Sequence, residues 1–200
     1  MHILFEDADV VVLDKPAGTP TIPDRFGSDS VKDRLERERG EKLWVVHRLD
    51  REVGGVLVFA RNADAHRALS MAFEQHRVEK TYEAVTEGVP PEVASVRWEN
   101  ILLRGKKRSY ASPHGKVAIT DATCLGTTGQ GWLRWSLRPL TGRNHQLRVH
   151  LSLAGYPIVG DALYGSTTLW PAGIALRAVR LSVPPLRDGG PSHLWEAAGP

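Results

Sequence analysis

Apolar residues fall in short runs divided by turn-forming ones, the pattern of strands interspersed with a few helices. Val10-Val11-Val12-Leu13 is a β-branched run ended by Lys15-Pro16-Ala17-Gly18, whose proline and glycine stop a strand and turn the chain. A loop rich in Pro, Gly and Thr follows over residues 19–27. Ser30 predicts the cap of a charged helix running through Leu35 and ending before Gly40; its thin stripe, Val31 and Leu35, places it at the surface. Leu43-Trp44-Val45-Val46 and Gly55-Val56-Leu57-Val58-Phe59-Ala60 read as two strands that hold a charged segment between them. Asn62 predicts the N-cap of a helix to about Val78, with Ala65, Leu69, Ala72 and Phe73 on its buried face. Residues 80–87 read as a strand with Tyr82, Ala84 and Thr86 on one face, broken by Gly88 and Pro90-Pro91. Alternation over residues 118–124 and 133–137 predicts two further strands around a turn at 127–131. Beyond the Pro139 and Gly142 turn, Asn144 can cap a helix whose Leu147, Leu151 and Ala154 share a face, stopped by Gly155 and Pro157. Strand, helix and more strands make the expected class α+β.

Composition narrows the picture only a little. Two hundred residues, 42% apolar and 24% charged, are those of an ordinary globular protein, and without repeats or a linker one domain over 1–200 is expected. A net charge of +3 permits nucleic acid as a partner without demanding it. The single cysteine, Cys124, excludes an intramolecular disulfide and a multi-cysteine metal site. The N-terminus lacks a basic start and long apolar stretch, and no membrane span is evident, so a cytoplasmic location is expected.

Candidate chemistry concentrates in three stretches. His47-Arg48-Leu49-Asp50-Arg51-Glu52-Val53-Gly54-Gly55 is a charged loop on a rigid scaffold, with an arginine on each side of Asp50. Cations facing a carboxylate keep it ionised, fit to act as nucleophile or base; an exposed charged turn has the same composition. Arg104-Gly105-Lys106-Lys107-Arg108 makes a positive patch able to meet RNA phosphates, or a solvated hairpin tip. Arg148 follows Leu147 by roughly 100° round a helix and can reach inward; a buried arginine requires an anionic partner, for which Asp50 is a candidate. His145 and His150 are spaced unlike a metal-binding helical pair, and no phosphate loop, dinucleotide fingerprint or serine elbow is present.

His47-Arg48-Leu49-Asp50-Arg51 followed by Gly55 resembles the H-R-L-D-R-x-T-S-G signature of RNA pseudouridine synthases of the RluA family. Residues 141–150, Thr-Gly-Arg-Asn-His-Gln-Leu-Arg-Val-His, are similar to that family's T-G-R-x-H-Q-[IL]-R-x-H, and residues 155–165 to its G-x-P-I-x-G-D-x-x-Y-G. Lys15-Pro16-Ala17-Gly18 resembles its K-P-[AS]-G, and Lys80-Thr81-Tyr82 its K-x-Y. All five stand in the family's order.

The resemblance implies a pseudouridine synthase fold, a long, bent, mostly antiparallel mixed sheet flanked by helices, with a central RNA-binding cleft. It implies isomerisation of uridine in rRNA or tRNA to pseudouridine on a flipped-out nucleotide, with no cofactor and no metal. Asp50 falls on the catalytic aspartate, as nucleophile at C1′ or base at C2′; Tyr82 falls on the tyrosine that packs against the base, and Arg148 on the arginine pairing with the aspartate. His47, Arg48, Arg51, Arg143, His145, Gln146, Lys106, Lys107 and Arg108 are the expected RNA contacts, and Leu176 the pocket-lining residue. The chain departs from the pattern at Val53 and Gly54, which stand in place of Thr and Ser, and in its shortness; beside Leu176, Arg177 stands where the family often has histidine. A monomer that grips RNA with its catalytic domain alone is expected, and the rival reading is an RNA-binding or RNA-remodelling protein of the same fold without turnover.

Overall fold

The computed structural model describes residues 1–24, 27–187 and 189–200; Arg25 and Phe26, inside the loop read at 19–27, lie outside the described residues. In chain order the elements are β1 (His2–Glu6), β2 (Val10–Lys15), α1 (Val31–Arg39), β3 (Trp44–Val45), β4 (Gly54–Ala60), α2 (Ala63–Glu74) and β5 (Glu79–Thr86). There follow β6 (Ser95–Arg104), β7 (Ser109–Ala111), β8 (Lys116–Thr127), β9 (Leu133–Pro139), α3 (Gln146–Leu153), a 3-10 turn at Ala162–Tyr164, β10 (Leu176–Val183) and β11 (His193–Glu196). They form two compact units: residues 1–80 with 177–199, and residues 81–176 with Pro200. No helix among the described residues is long and apolar enough to cross a membrane.

In the first unit β4 is buried along its whole length, which is why it reads as an unbroken apolar run. β2 lies antiparallel along one edge of β4, from Val10 opposite Ala60 to Lys15 opposite Gly55. Its other edge is shared: β10 runs parallel at Gly54 and Gly55, and β3 antiparallel at Phe59 and Ala60. α2 packs Ala65, Leu69 and Ala72 onto Val10, Val12, Val56 and Val58 of this sheet, with Leu181, Val183 and Trp195 closing the cluster. α1 carries the capping box its sequence predicts: Ser30 Oγ accepts the Asp33 N–H at 3.1 Å, and Gly40 ends the helix at φ 65°. Asn62 caps α2, accepting the Ala65 N–H at 2.9 Å, but the helix stops at Glu74 rather than near Val78. His76 adopts φ 54° there, and the Arg77 N–H turns back to the Ala72 carbonyl, freeing Val78 to be buried beneath the sheet.

The second unit is an antiparallel sheet in the order β5-β9-β8-β6-β7. β8 and β9 are the predicted pair, β8 lengthened at both ends and β9 by two residues at its end, joined across the turn at 127–131. Trp135 is fully buried beneath this sheet, its indole N–H donating to Thr86 Oγ1 at 2.9 Å, so its polar end is satisfied without water. α3 packs Val149 against Leu102, Ala118 and Tyr164. Its first residue corrects the sequence reading: Asn144 is not the cap. His145 occupies that position at φ 53° without a side-chain cap, and the Gln146 side chain instead holds the turn that leads into the helix, accepting the Arg143 N–H at 3.0 Å and the Thr141 hydroxyl at 2.7 Å. The class is α+β, as predicted; β10 runs parallel to β4, while β1–β2, β2–β4, β3–β4, β10–β11 and the pairs of the second unit's sheet are antiparallel.

Candidate active site

In the first unit the loop of residues 46–53, between β3 and β4, carries His47, Arg48, Asp50 and Arg51. It is pinned on both sides of Asp50. Before it, Leu49 is held by buried Thr21, whose hydroxyl donates to the Leu49 carbonyl at 2.9 Å and accepts the Leu49 N–H at 3.1 Å. After it, the Arg51 carbonyl accepts the Gly18 N–H at 2.7 Å and the Lys15 ammonium at 3.3 Å. The Val53 N–H closes the turn onto the Asp50 carbonyl at 3.1 Å. Fixing the backbone on either side fixes where the carboxylate can point, which a catalytic group needs.

Lys15 is wholly buried, and its ammonium also donates to the carbonyls of Pro16 and Thr19, at 2.9 and 2.6 Å. Burial draws its pKa down to about 8, an effect the Glu52 and Asp50 carboxylates oppose and the Arg177 and Arg51 guanidinium groups reinforce. Arg48 and Arg51 are exposed; Arg51 reaches back to Asp24 and Ser28, at 2.6 and 2.9 Å, and so ties the loop to those two side chains. His47 faces the other way. Its ring stacks on Phe73, its Nε2 accepts the Val58 N–H at 3.2 Å, and burial pushes its pKa down to about 3, so it anchors the loop as a neutral side chain.

In the second unit α3 carries Gln146 and Arg148 into the interior. Arg148, 4% exposed in its side chain, forms a two-pronged ion pair with Asp161, 1% exposed, Nε and Nη2 donating at 2.7 and 2.8 Å. Its guanidinium lies 5.1 Å from the centre of the Tyr164 ring. The Tyr164 hydroxyl in turn joins His145 Nδ1 at 2.9 Å and accepts the Ser109 N–H at 2.9 Å, linking the start of α3 to β7. Gln146 completes the bracing by donating to the Ile119 carbonyl and Thr120 Oγ1, at 2.9 and 3.0 Å. Arg143 lies outside, its Nε donating to the Val117 carbonyl at 2.8 Å. Lys106, Lys107 and Arg108 are exposed at the tip of the β6–β7 hairpin, where the Gly105 N–H meets the Arg108 carbonyl. Tyr82 sits half-buried on β5 opposite Leu137, and Leu176 is buried at the first position of β10.

Three participants escaped the sequence reading. Asp161 is an anionic partner of Arg148 that the sequence reading did not name; its signal was the Gly160-Asp161 step within the motif at 155–165. Lys15 was visible in Lys-Pro-Ala-Gly but had no role assigned. Thr21, inside a loop of common turn residues, left no signal at all.

A match to the family described as RNA pseudouridylate synthase covers residues 9–153. An uncharacterized RNA pseudouridine synthase of Zymomonas mobilis is 42% identical over 173 residues, 82% of this chain and 78% of that one. The ribosomal large subunit pseudouridine synthase C of Rickettsia felis is 36% identical over 176 residues, and the match spans 58% of its length. Among solved structures, human RNA pseudouridylate synthase domain containing 4 superimposes with a TM-score of 0.81 at 26% identity, covering 100% of this chain and 88% of that one.

Proposed function

The chain belongs to the RNA pseudouridylate synthase family, and on that premise we propose that it isomerises specific uridines of structured ribosomal or transfer RNA to pseudouridine. The observation that carries this reading is the pinned loop that places Asp50 between two fixed backbone points, within the span of the family match. In the reaction the N1–C1′ bond breaks, the base turns, and a C5–C1′ bond forms. The hydrogen at C5 leaves as a proton and N1 ends protonated, so product and substrate contain the same atoms and no oxidant or reductant is needed.

The target base is out of reach in a stacked helix and is flipped into the pocket, at a cost of a few kcal/mol. Tyr82 recovers part of that cost by packing on the base, and Leu176 supplies an apolar wall. Asp50 acts at the sugar, on C1′ as nucleophile or on the C2′ proton as base. Arg148, oriented by Asp161 and Tyr164, is the cation that serves the reacting carboxylate. The exposed Arg48, Lys106, Lys107 and Arg108, with Arg143, meet phosphates. On this reading the protein works in the cytoplasm as a monomer.

Tritium release from RNA labelled at uridine C5 tests the proposal, with transfer and ribosomal RNA in separate pools. Release is expected from one pool with the wild type and at least about a thousandfold slower with Asp50→Asn, which keeps the shape and removes the charge. Equal release by both proteins would refute it.

A further inference from the structure

Two glycines follow the Asp50 loop, and they are excluded from carrying a side chain by different neighbours. A Cβ at Gly55 would meet the Ala178 carbonyl oxygen at 2.1 Å, so its neighbour is the backbone of β10. A Cβ at Gly54 would meet a side chain, Arg177 Nη1 at 2.7 Å, with the Lys15 carbonyl at 3.1 Å behind it. Arg177 stands beside Gly54 in the parallel β4–β10 register and folds over it. The guanidinium is not free to swing aside. Its Nη2 donates to both Asp14 carboxylate oxygens, at 2.6 and 2.8 Å, and its Nε to the Ala198 carbonyl at 2.8 Å. Asp14 neighbours Lys15, whose ammonium holds the Arg51 carbonyl, so the guanidinium, the strand end and the loop form one connected block.

We infer that Arg177 and Gly54 are a single positioning device for the Asp50 loop: the guanidinium, clamped by Asp14, occupies the space of an absent side chain at residue 54 and braces the point where the loop enters β4. Gly54→Ala would push the guanidinium off Asp14, and Arg177→Ala would remove it. Either way the same brace is lost.

The inference rests on the catalytic role proposed for Asp50, so the experiment has one readout that needs turnover and one that does not. Wild type, Gly54→Ala, Arg177→Ala, the double variant and the milder Asp14→Asn are compared for kcat and KM with RNA. They are also compared for trypsin cleavage of the native protein after the exposed Arg48, followed by mass spectrometry. Each single change is expected to lower kcat about tenfold with KM within about twofold, because it displaces the reacting group rather than the RNA grip. Each should also accelerate cleavage after Arg48, and the double variant should be no worse than the worse single in both readouts. Losses that multiply in the double variant, a silent Gly54→Ala, or a change confined to KM would overturn the inference. If the wild type releases no tritium, the functional reading fails alone, and non-additive trypsin cleavage still decides whether the two residues act as one.

Discussion

Replacing Asp161 with Asn tests the buried part of the site most directly. The carboxylate receives two guanidinium N–H groups at 2.7 and 2.8 Å, with both side chains almost fully shielded from water. An amide of the same shape keeps one acceptor and turns an NH2 toward the other guanidinium N–H. One charge-assisted bond becomes a donor–donor contact, and a buried cation loses its carboxylate. Breaking one side of such a pair costs about 3–5 kcal/mol. For a chain of this size each kcal/mol lowers the melting temperature by about 2–4 °C, so a drop of roughly 6–20 °C is expected. Urea and thermal unfolding followed by circular dichroism measure it. The companion variant Arg148→Met/Asp161→Leu removes both charges of the pair and should be more stable than Asp161→Asn, which leaves the buried guanidinium without its carboxylate. A loss below about 1 kcal/mol for Asp161→Asn, or a double variant less stable than the single, would show that the fork does not hold α3 to the segment that carries Asp161.

Two further outcomes follow from burial and backbone. Burial holds the His150 pKa near 4, against about 6.5 in an unfolded chain, so between those pH values the unfolded chain takes up a proton that the folded one refuses. Stability therefore falls as pH drops from 6.5 to about 4, by something of the order of 3 kcal/mol, and this contribution is flat below; urea midpoints across that range should be less steep in His150→Gln, and unchanged steepness would contradict the assignment. Gly55→Ala places a Cβ on the Ala178 carbonyl at φ 112° and should abolish soluble expression. Gly126→Ala, at φ 116° with open space around it, should cost only the backbone strain of about 1–3 kcal/mol and still fold.

The parts of the fold that were legible in the sequence are those determined locally. Ser30 and Asn62 cap the helices they predict because a cap is a bond between residues three apart. β2, β4 and β9 are legible because their apolar runs match the period of a strand. Elements decided by distant neighbours were not. β6 and β7 alternate weakly, since much of both faces of these strands is exposed, and β10 was missed because its partner β4 lies far off in the chain. Asn144 had the chemistry of a cap, but the position fell to His145, because the Gln146 side chain binds the Arg143 N–H and the Thr141 hydroxyl and so fixes the turn before the helix. For the candidate site, the motifs gave the candidate side chains, but the anchors Thr21, Lys15 and Asp161 were not legible, because each acts on a loop or helix outside its own local segment.

The first unit is assembled from two stretches of chain with the whole second unit synthesised between them. Translation delivers residues in order, so the Asp50 loop leaves the ribosome well over a hundred residues ahead of Arg177 and Ala178, the strand partners of Gly54 and Gly55. Until β10 arrives, β4 has an open edge at the very residues that end the loop, and the Asp14 carboxylate waits for its guanidinium. A nascent chain can thus complete the second unit early, but the ground on which Asp50 stands is finished near the end of synthesis, which couples the birth of activity to the completion of the fold.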